Sequence, residues 1–270
     1  MATGRIKIAR LQQIAEGGMA VLFLAAQSDG SQLVIRELHP KLRWRLRSHY
    51  RFLRGARIRD LVSPHPNIIF SVEYGYAGLV PYEVIEYVPG VSLSTLIGKK
   101  DDIQRKNALE VLRQASCAIS HIHDKGFIHL DIKAENFVID AKPDGTIIVK
   151  LTDFDLARKS AASHDARRSG TASYMAPELL RQGSVGVEAD VFAFGVLAYY
   201  LVTGKKPFSG YSLDELRRQQ VSQVYQVLEP VRLNAQIAPR LNWIIMKCLE
   251  KDPTQRFPSM TYLRRELERV

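Results

Sequence analysis

The sequence predicts an α+β fold in two unequal parts, and three observations carry that prediction. Apolar, β-branched segments crowd the first third of the chain: residues 5–38, Ile69–Tyr74 and Pro81–Tyr87. A composition break follows at VPGVSL, residues 88–93. Beyond it the apolar spacing turns helical, interrupted by a strand pair between residues 137 and 151. Strands gathered in one stretch and helices in another pack as a sheet beside a helical layer. Residues 1–88 and 89–270 are read as a small sheet-bearing lobe and a larger, mainly helical one.

With 270 residues, 46% of them hydrophobic, the chain can bury a substantial core. No run is long enough for a membrane span, and the N-terminus lacks the apolar stretch of a signal peptide. Cys117 and Cys248 lie far apart in apolar contexts, which suits a reduced, cytoplasmic protein better than a disulfide framework. The formal charge of +10 is high enough that its distribution matters.

In chain order, RIKIARLQQIAEGG, AVLFLAAQ and QLVIREL read as strands, the last two joined at Ser28-Asp29-Gly30. Small residues in the AEGGMA link let backbone N–H groups approach phosphates. Strand alternation puts Val34 and Arg36 on one face and Ile35 on the other. KLRWRLRSHYRFLRGARIRD reads as a helix with Leu46, Tyr50, Leu53, Ala56 and Leu61 near one stripe. From Lys41 to Arg59 there is no acidic residue, and most of the basic excess sits here. The stretch is either a solvated face or a dock for an acidic partner. Nucleic acid is the weaker version, because Trp44, Tyr50 and Phe52 do not form the regular aromatic interleaving that single-strand binders use.

Asn107–Lys125 reads as a helix with Leu109, Leu112, Ala115 and Ile119 inward and a stop at Gly126. Phe137–Ile139 and Ile147–Leu151 read as a hairpin across a Pro143-Asp144-Gly145 turn. A hairpin returns the chain to its start, so Asp131, Lys133 and Asn136 come back beside Asp153. Two carboxylates, an amide oxygen and an ammonium at one end of one element suit a Mg-bound polyphosphate. DVFAFGVLAYYLVTGKKPF is apolar on nearly all sides, as a helix buried all round would be, with Asp190 expected to cap it.

On these residues the chain resembles the eukaryotic-type serine/threonine protein kinases. HLDIKAEN resembles their catalytic loop, DFD stands where D-F-G follows, GTASYMAPE resembles the substrate-binding loop, and DPTQRF the late D-P-x-x-R. The resemblance implies a bilobal kinase fold, ATP and Mg²⁺ as cofactors, and a protein substrate with a serine or threonine acceptor. It implies Asp131 as the base, Lys133 as the cation facing the transferred phosphoryl, and Asn136 and Asp153 as magnesium ligands. Ala15, Gly17 and Val21 would cover the nucleotide, with Val34 and Arg36 beneath. The backbone of Glu86 and Val88 would hold the adenine edge behind a gatekeeper Ile85, and Ser92 the ribose. Thr171 would contact Asp131 and Lys133, LARKSAASHDARRSG would be a mobile activation segment, and Glu178 would pair with Arg256.

Four departures stand against the family pattern. The strand lysine is Arg36, the helix glutamate falls on Arg54 or Gly55, the D-F-G glycine is Asp155, and Leu130 replaces the catalytic-loop arginine. Losing one preorganised electrostatic contact costs about 10²–10³ in rate, so reduced turnover is expected. A charge exchange, with Asp155 as the acid and Arg36 or Arg54 as its partner, would link these changes. Retention of the base, the lysine and both metal ligands favours an ATP-dependent serine/threonine kinase. The alternative is a pseudokinase acting as a nucleotide-binding or protein-interaction scaffold. A small-molecule kinase is disfavoured by GTASYMAPE and DPTQRF.

Overall fold

The computed structural model describes residues 8–99, 106–160, 171–181, 185–210 and 212–270. Residues 5–7 of the first expected strand and residues 161–170 of the expected activation segment lie outside them.

Strands β1 (Ile8–Glu16), β2 (Ala20–Gln27) and β3 (Gln32–Leu38) pair antiparallel, and helix α1 (Leu46–Val62) follows. Strands β4 (Ser71–Ala77) and β5 (Val80–Glu86) complete a five-stranded sheet in the order β1-β2-β3-β5-β4. The β2–β3 turn closes through Gly30, whose φ of 84° is a conformation that glycine adopts freely. The register sets Leu22 opposite Arg36, Leu24 opposite Val34, Val34 opposite Ile85 and Arg36 opposite Glu83. Directly opposed residues share a face, so Leu22, Val34, Arg36, Glu83 and Ile85 all point the same way. Val21 lies opposite Glu37 on the other face, which corrects its expected place over the nucleotide. A one-residue shift in a strand moves every side chain to the opposite side.

Helix α1 forms where expected, but of its expected stripe only Ala56 is buried and Leu53 half-buried. Leu46, Tyr50 and Leu61 are exposed, while Phe52, Gly55, Ala56, Ile58, Arg59 and Val62 face inward. The error has a physical origin. The buried stripe contains a glycine and an arginine, which an apolar count passes over, and the arginine is neutralised by Glu83 of the sheet at 2.7 Å.

After β6 (Val91–Ser92) and α2 (Leu93–Lys99), the second lobe is built on α3 (Ala108–Asp124) and α5 (Glu188–Thr203). Between them lie β7 (Phe127–Ile128), the hairpin β8 (Phe137–Ala141) and β9 (Ile147–Leu151), β10 (Arg158–Lys159) and the short α4 (Pro177–Leu180). Helices α6 (Leu213–Val221), α7 (Pro239–Cys248) and α8 (Met260–Leu267) close the chain. Helix α5 is buried on almost every side, and Gly204, with φ 70°, ends it. Asp190 does not cap α5: Val187 is the N-cap residue, and Asp190 sits inside the first turn with its carboxylate turned to another task. One apolar core runs from Ile58 and Val62 of α1 through Ile68 into α3, α5 and α8, so the two lobes share it.

Candidate active site

The hairpin forms where the sequence implied. Phe137 pairs with Leu151, and the Thr152 N–H donates to the Asn136 carbonyl at 2.9 Å. Asn136 and Asp153 therefore flank one end of the hairpin. The turn at the other end uses Gly145 at φ 87°. Lys133 Nζ lies 2.6 Å from Asp131 Oδ2, and Asn136 Nδ2 donates to the Asp131 carbonyl at 2.8 Å and to Oδ2 at 3.1 Å. With its NH₂ so engaged, the Asn136 amide oxygen is the group left to meet a cation.

Asp190 holds the loop in place. Its carboxylate accepts from the backbone N–H groups of His129 and Leu130, each at 2.8 Å, and from His123 Nε2 at 2.9 Å. Burial opposes its charge, but the bonds from His123 and the His129 backbone hold its carboxyl below the usual range. These contacts retain Leu130 at φ 63°, a left-handed conformation that costs a side chain of this kind about 1–3 kcal/mol. His129 is buried, which keeps its imidazole neutral, and it meets the Phe154 ring edge-on at 5.0 Å.

Asp153 also adopts a left-handed backbone, φ 56°, and its side chain remains 35% exposed. Burial pushes its carboxyl up, but Arg36 and the Asp155 N–H together hold it below the usual range. It therefore stays ionised. Asp155 differs: burial, opposed by Arg36 and reinforced by Asp153 and Glu83, pushes its carboxyl up to about 7.

The charge exchange resolves in favour of Arg36. Its Nη2 donates to Asp155 Oδ2 at 3.2 Å and Oδ1 at 3.3 Å, and its Nη1 donates to Glu83 Oε2 at 2.6 Å. Asp153 Oδ1 is 3.6 Å from the same Nη2. Burial alone would lower the Arg36 pKa, yet the three carboxylates raise it well above its ordinary value. Arg54 takes the other role: it and Arg51 donate to the Asp155 carbonyl, each at 3.2 Å.

Above the hairpin, Val34, Ile69 and Ile85 form a small apolar cluster with Leu22, Tyr87, Val88 and Val138 packed against it. Residues of both lobes meet in this cluster, and Leu22 fills the place expected of Val21. Gly17 donates its N–H to Ala20 within its own turn at 2.8 Å, and Ala15 pairs with Leu22. The Glu86 carboxylate binds Lys150 at 2.6 Å and the Phe70 N–H at 2.6 Å. Ser92 Oγ accepts from the Thr95 N–H at 3.2 Å and so caps α2. A small pocket beside Asp131 is lined by Thr171, Tyr174 and Met175.

A family model described as the protein kinase domain matches residues 8–267. The chain belongs to the protein kinase family. It is 33% identical over 231 residues to the serine/threonine-protein kinase PknB of Mycobacterium tuberculosis, covering 82% of this chain and 36% of that protein. It is 30% identical over 263 residues to the serine/threonine-protein kinase PrkC of Bacillus subtilis, covering 94% of this chain and 39% of that protein. The chain thus spans between a third and two-fifths of the length of these relatives.

Within this kinase fold, Arg256 and Glu178 form the expected buried pair, two parallel bonds of 2.8 Å each. Sequence reading missed Leu22, Glu83, Arg59 and the anchoring role of Asp190. Glu83 alone carried a usable signal, as a carboxylate inside the apolar run PYEVIEY on the same strand face as Ile85.

Proposed function

We propose that this chain transfers the γ-phosphoryl group of ATP to serine or threonine hydroxyls of protein substrates, more slowly than a kinase with the usual lysine–glutamate pair. The observation that carries this reading is the hydrogen-bonded cluster of Asp131, Lys133 and Asn136 at the end of the hairpin whose second strand leads into Asp153. Asp131 accepts the proton of the substrate hydroxyl, and Lys133 neutralises charge on the group in transit. Asn136 and Asp153 would hold Mg²⁺; an amide oxygen and an ionised carboxylate are the hard ligands it takes beside phosphate oxygens. Bound magnesium would supply charge stabilisation to the phosphates. The Val34–Ile69–Ile85 cluster with Leu22 and Val88 offers adenine an apolar bed, and Ser92 pairs with Val138, which packs against that cluster. Residues 1–88 and 89–270 are the two lobes, and the work is placed in the cytoplasm, where ATP is supplied.

The scaffold reading draws on a specific observation: Arg36 is claimed by Glu83 and Asp155, and the Gly17 N–H by its own turn. Incubation with Mg-ATP and a generic protein substrate, beside Asp131→Asn, separates the two. The expected outcome is phosphate incorporation that falls by about 10²–10⁴ in the variant. Stabilisation of both proteins by Mg-ATP should persist. Incorporation equal in both would discard the enzyme reading.

The exposed Arg43, Arg45 and Arg47 alternate with Trp44 and Leu46, 84% and 81% exposed, which supports an acidic peptide as a docking partner. Its binding should weaken as salt is raised and vanish when the three arginines become glutamates. Binding that survives the charge reversal would remove this part of the proposal.

A further inference from the structure

In the protein kinase family the strand cation is oriented by a glutamate on the helix, so the helix must be in place for the site to be complete. Here the helix offers no carboxylate at that level: Gly55 occupies it, its Cα side pressed against the backbone of Phe154 and Asp155. Besides Asp155 and Asp153 of the loop, the carboxylate nearest Arg36, at 2.6 Å, belongs to Glu83, the residue directly opposite it on the neighbouring strand. The other oxygen of Glu83 lies 2.7 Å from Arg59 Nη1 of α1, an ion pair without hydrogen-bond alignment, and the Arg59 guanidinium lies 5.3 Å from the centre of the Phe154 ring. Arg59, Glu83, Arg36 and Asp155 thus form a row of alternating charge across helix, two strands and the loop after Asp153. Their side chains are 0%, 0%, 5% and 4% exposed.

Two consequences follow from the chemistry of buried ions. No member of the row can be lost alone without leaving an uncompensated charge in the interior. And because Arg36 and Glu83 sit on strands hydrogen-bonded to each other, their pairing does not depend on where the helix stands. We infer that Glu83 is the positioning residue for Arg36, that it replaces the helix glutamate from within the sheet, and that Arg59 reads the same carboxylate to hold α1 against the site. This rests on the phosphoryl-transfer reading above for its effect on rate, though not for the anchor itself.

The test compares Glu83→Gln and Arg59→Met with the unaltered chain, reading kcat and KM for ATP together with the unfolding midpoint. Glu83→Gln should lower kcat/KM by about 10²-fold, the cost of misplacing a group at a reacting centre. Arg59→Met, which leaves Arg36 anchored, should lower the midpoint yet retain most of kcat/KM. Equal losses of kcat/KM in the two variants, or wild-type kcat/KM in Glu83→Gln, would overturn the inference. A double-mutant cycle of Arg36→Met and Glu83→Gln, melted without nucleotide, reads the anchor directly. The double variant should be more stable than the summed single effects predict. Additive effects would refute the anchor. A chain that transfers no phosphate would fell the proposed function while leaving this cycle to decide the pairing.

Discussion

Arg256 has almost no exposed surface, yet it is charged. It is tolerated because every direction is answered: two bonds to Glu178, and further bonds to the carbonyls of Glu250 and Glu188, each at 2.8 Å. Breaking a buried pair by removing one partner costs about 3–5 kcal/mol. Arg256→Ala should lower stability by that order in urea unfolding. Arg256→Lys should recover little, since an ammonium cannot make the two parallel bonds of a guanidinium. This pair was visible in the sequence because both residues sit in short, distinctive motifs. The pairing of Glu83 with Arg36 and Arg59 was not, because nothing in a linear string says which buried cation a buried carboxylate will meet. The same gap explains Val21 and Leu22: the glycine-rich stretch was located correctly, but the strand's facing was off by one residue.

At the scale of elements, α1 shows two effects in competition. Gly55 sits mid-helix, where alanine would ordinarily gain about 0.8–1.0 kcal/mol in propensity. A Cβ there would lie 2.8 Å from the Phe154 carbonyl oxygen and 3.0 Å from the Asp155 Cα, and backbone cannot step aside as a flexible side chain can. Overpacking of this kind costs about 1–3 kcal/mol, so the clash wins. Gly55→Ala should keep the helical signal in circular dichroism while lowering the unfolding midpoint and slowing phosphate transfer. A variant as active and stable as the parent would mean the helix does not bear on the Asp155 loop. The helix itself was legible from its periodicity. Its buried face was not, because tertiary partners chose a glycine and an arginine for the interior and left Leu46 and Tyr50 in water.

At the scale of the whole molecule, the link between α1 and β4 fastens one lobe to the other. Asn67 donates to Gln114 at 2.9 Å and to the Val149 carbonyl at 3.0 Å, and His65 stacks on His121 at 4.5 Å. Burial, aided by the positive surroundings of His121, Arg264 and Lys150, pushes the His65 imidazole down to about 4 from 6.5. The folded protein therefore resists a proton that the unfolded chain accepts near 6.5, so the unfolded state gains as pH falls. The contribution of His65 is complete above 6.5 and is lost between there and about 4. Unfolding midpoints measured at pH 7 and pH 5 should show a drop that is smaller in His65→Asn, which keeps a side-chain acceptor for the Asn67 N–H. Because the lobes share one apolar core, calorimetry should show a single transition at either pH.

By itself the sequence determined the strands of the first lobe, the long helices, the hairpin that returns the chain to Asn136, and the family to which those residues point. It could do so because alternation, turn residues and hairpin geometry act over short distances along the chain. Only the tertiary structure decided which face of β2 shares a side with Arg36 and Ile85, that Asp190 holds the His129–Leu130 backbone rather than capping its own helix, and that Arg36 answers to Glu83 and Asp155. Those outcomes depend on charges and side chains brought together from residues 47 and 119 positions apart, and burial, which fixes the worth of each pairing, exists only once the chain has folded.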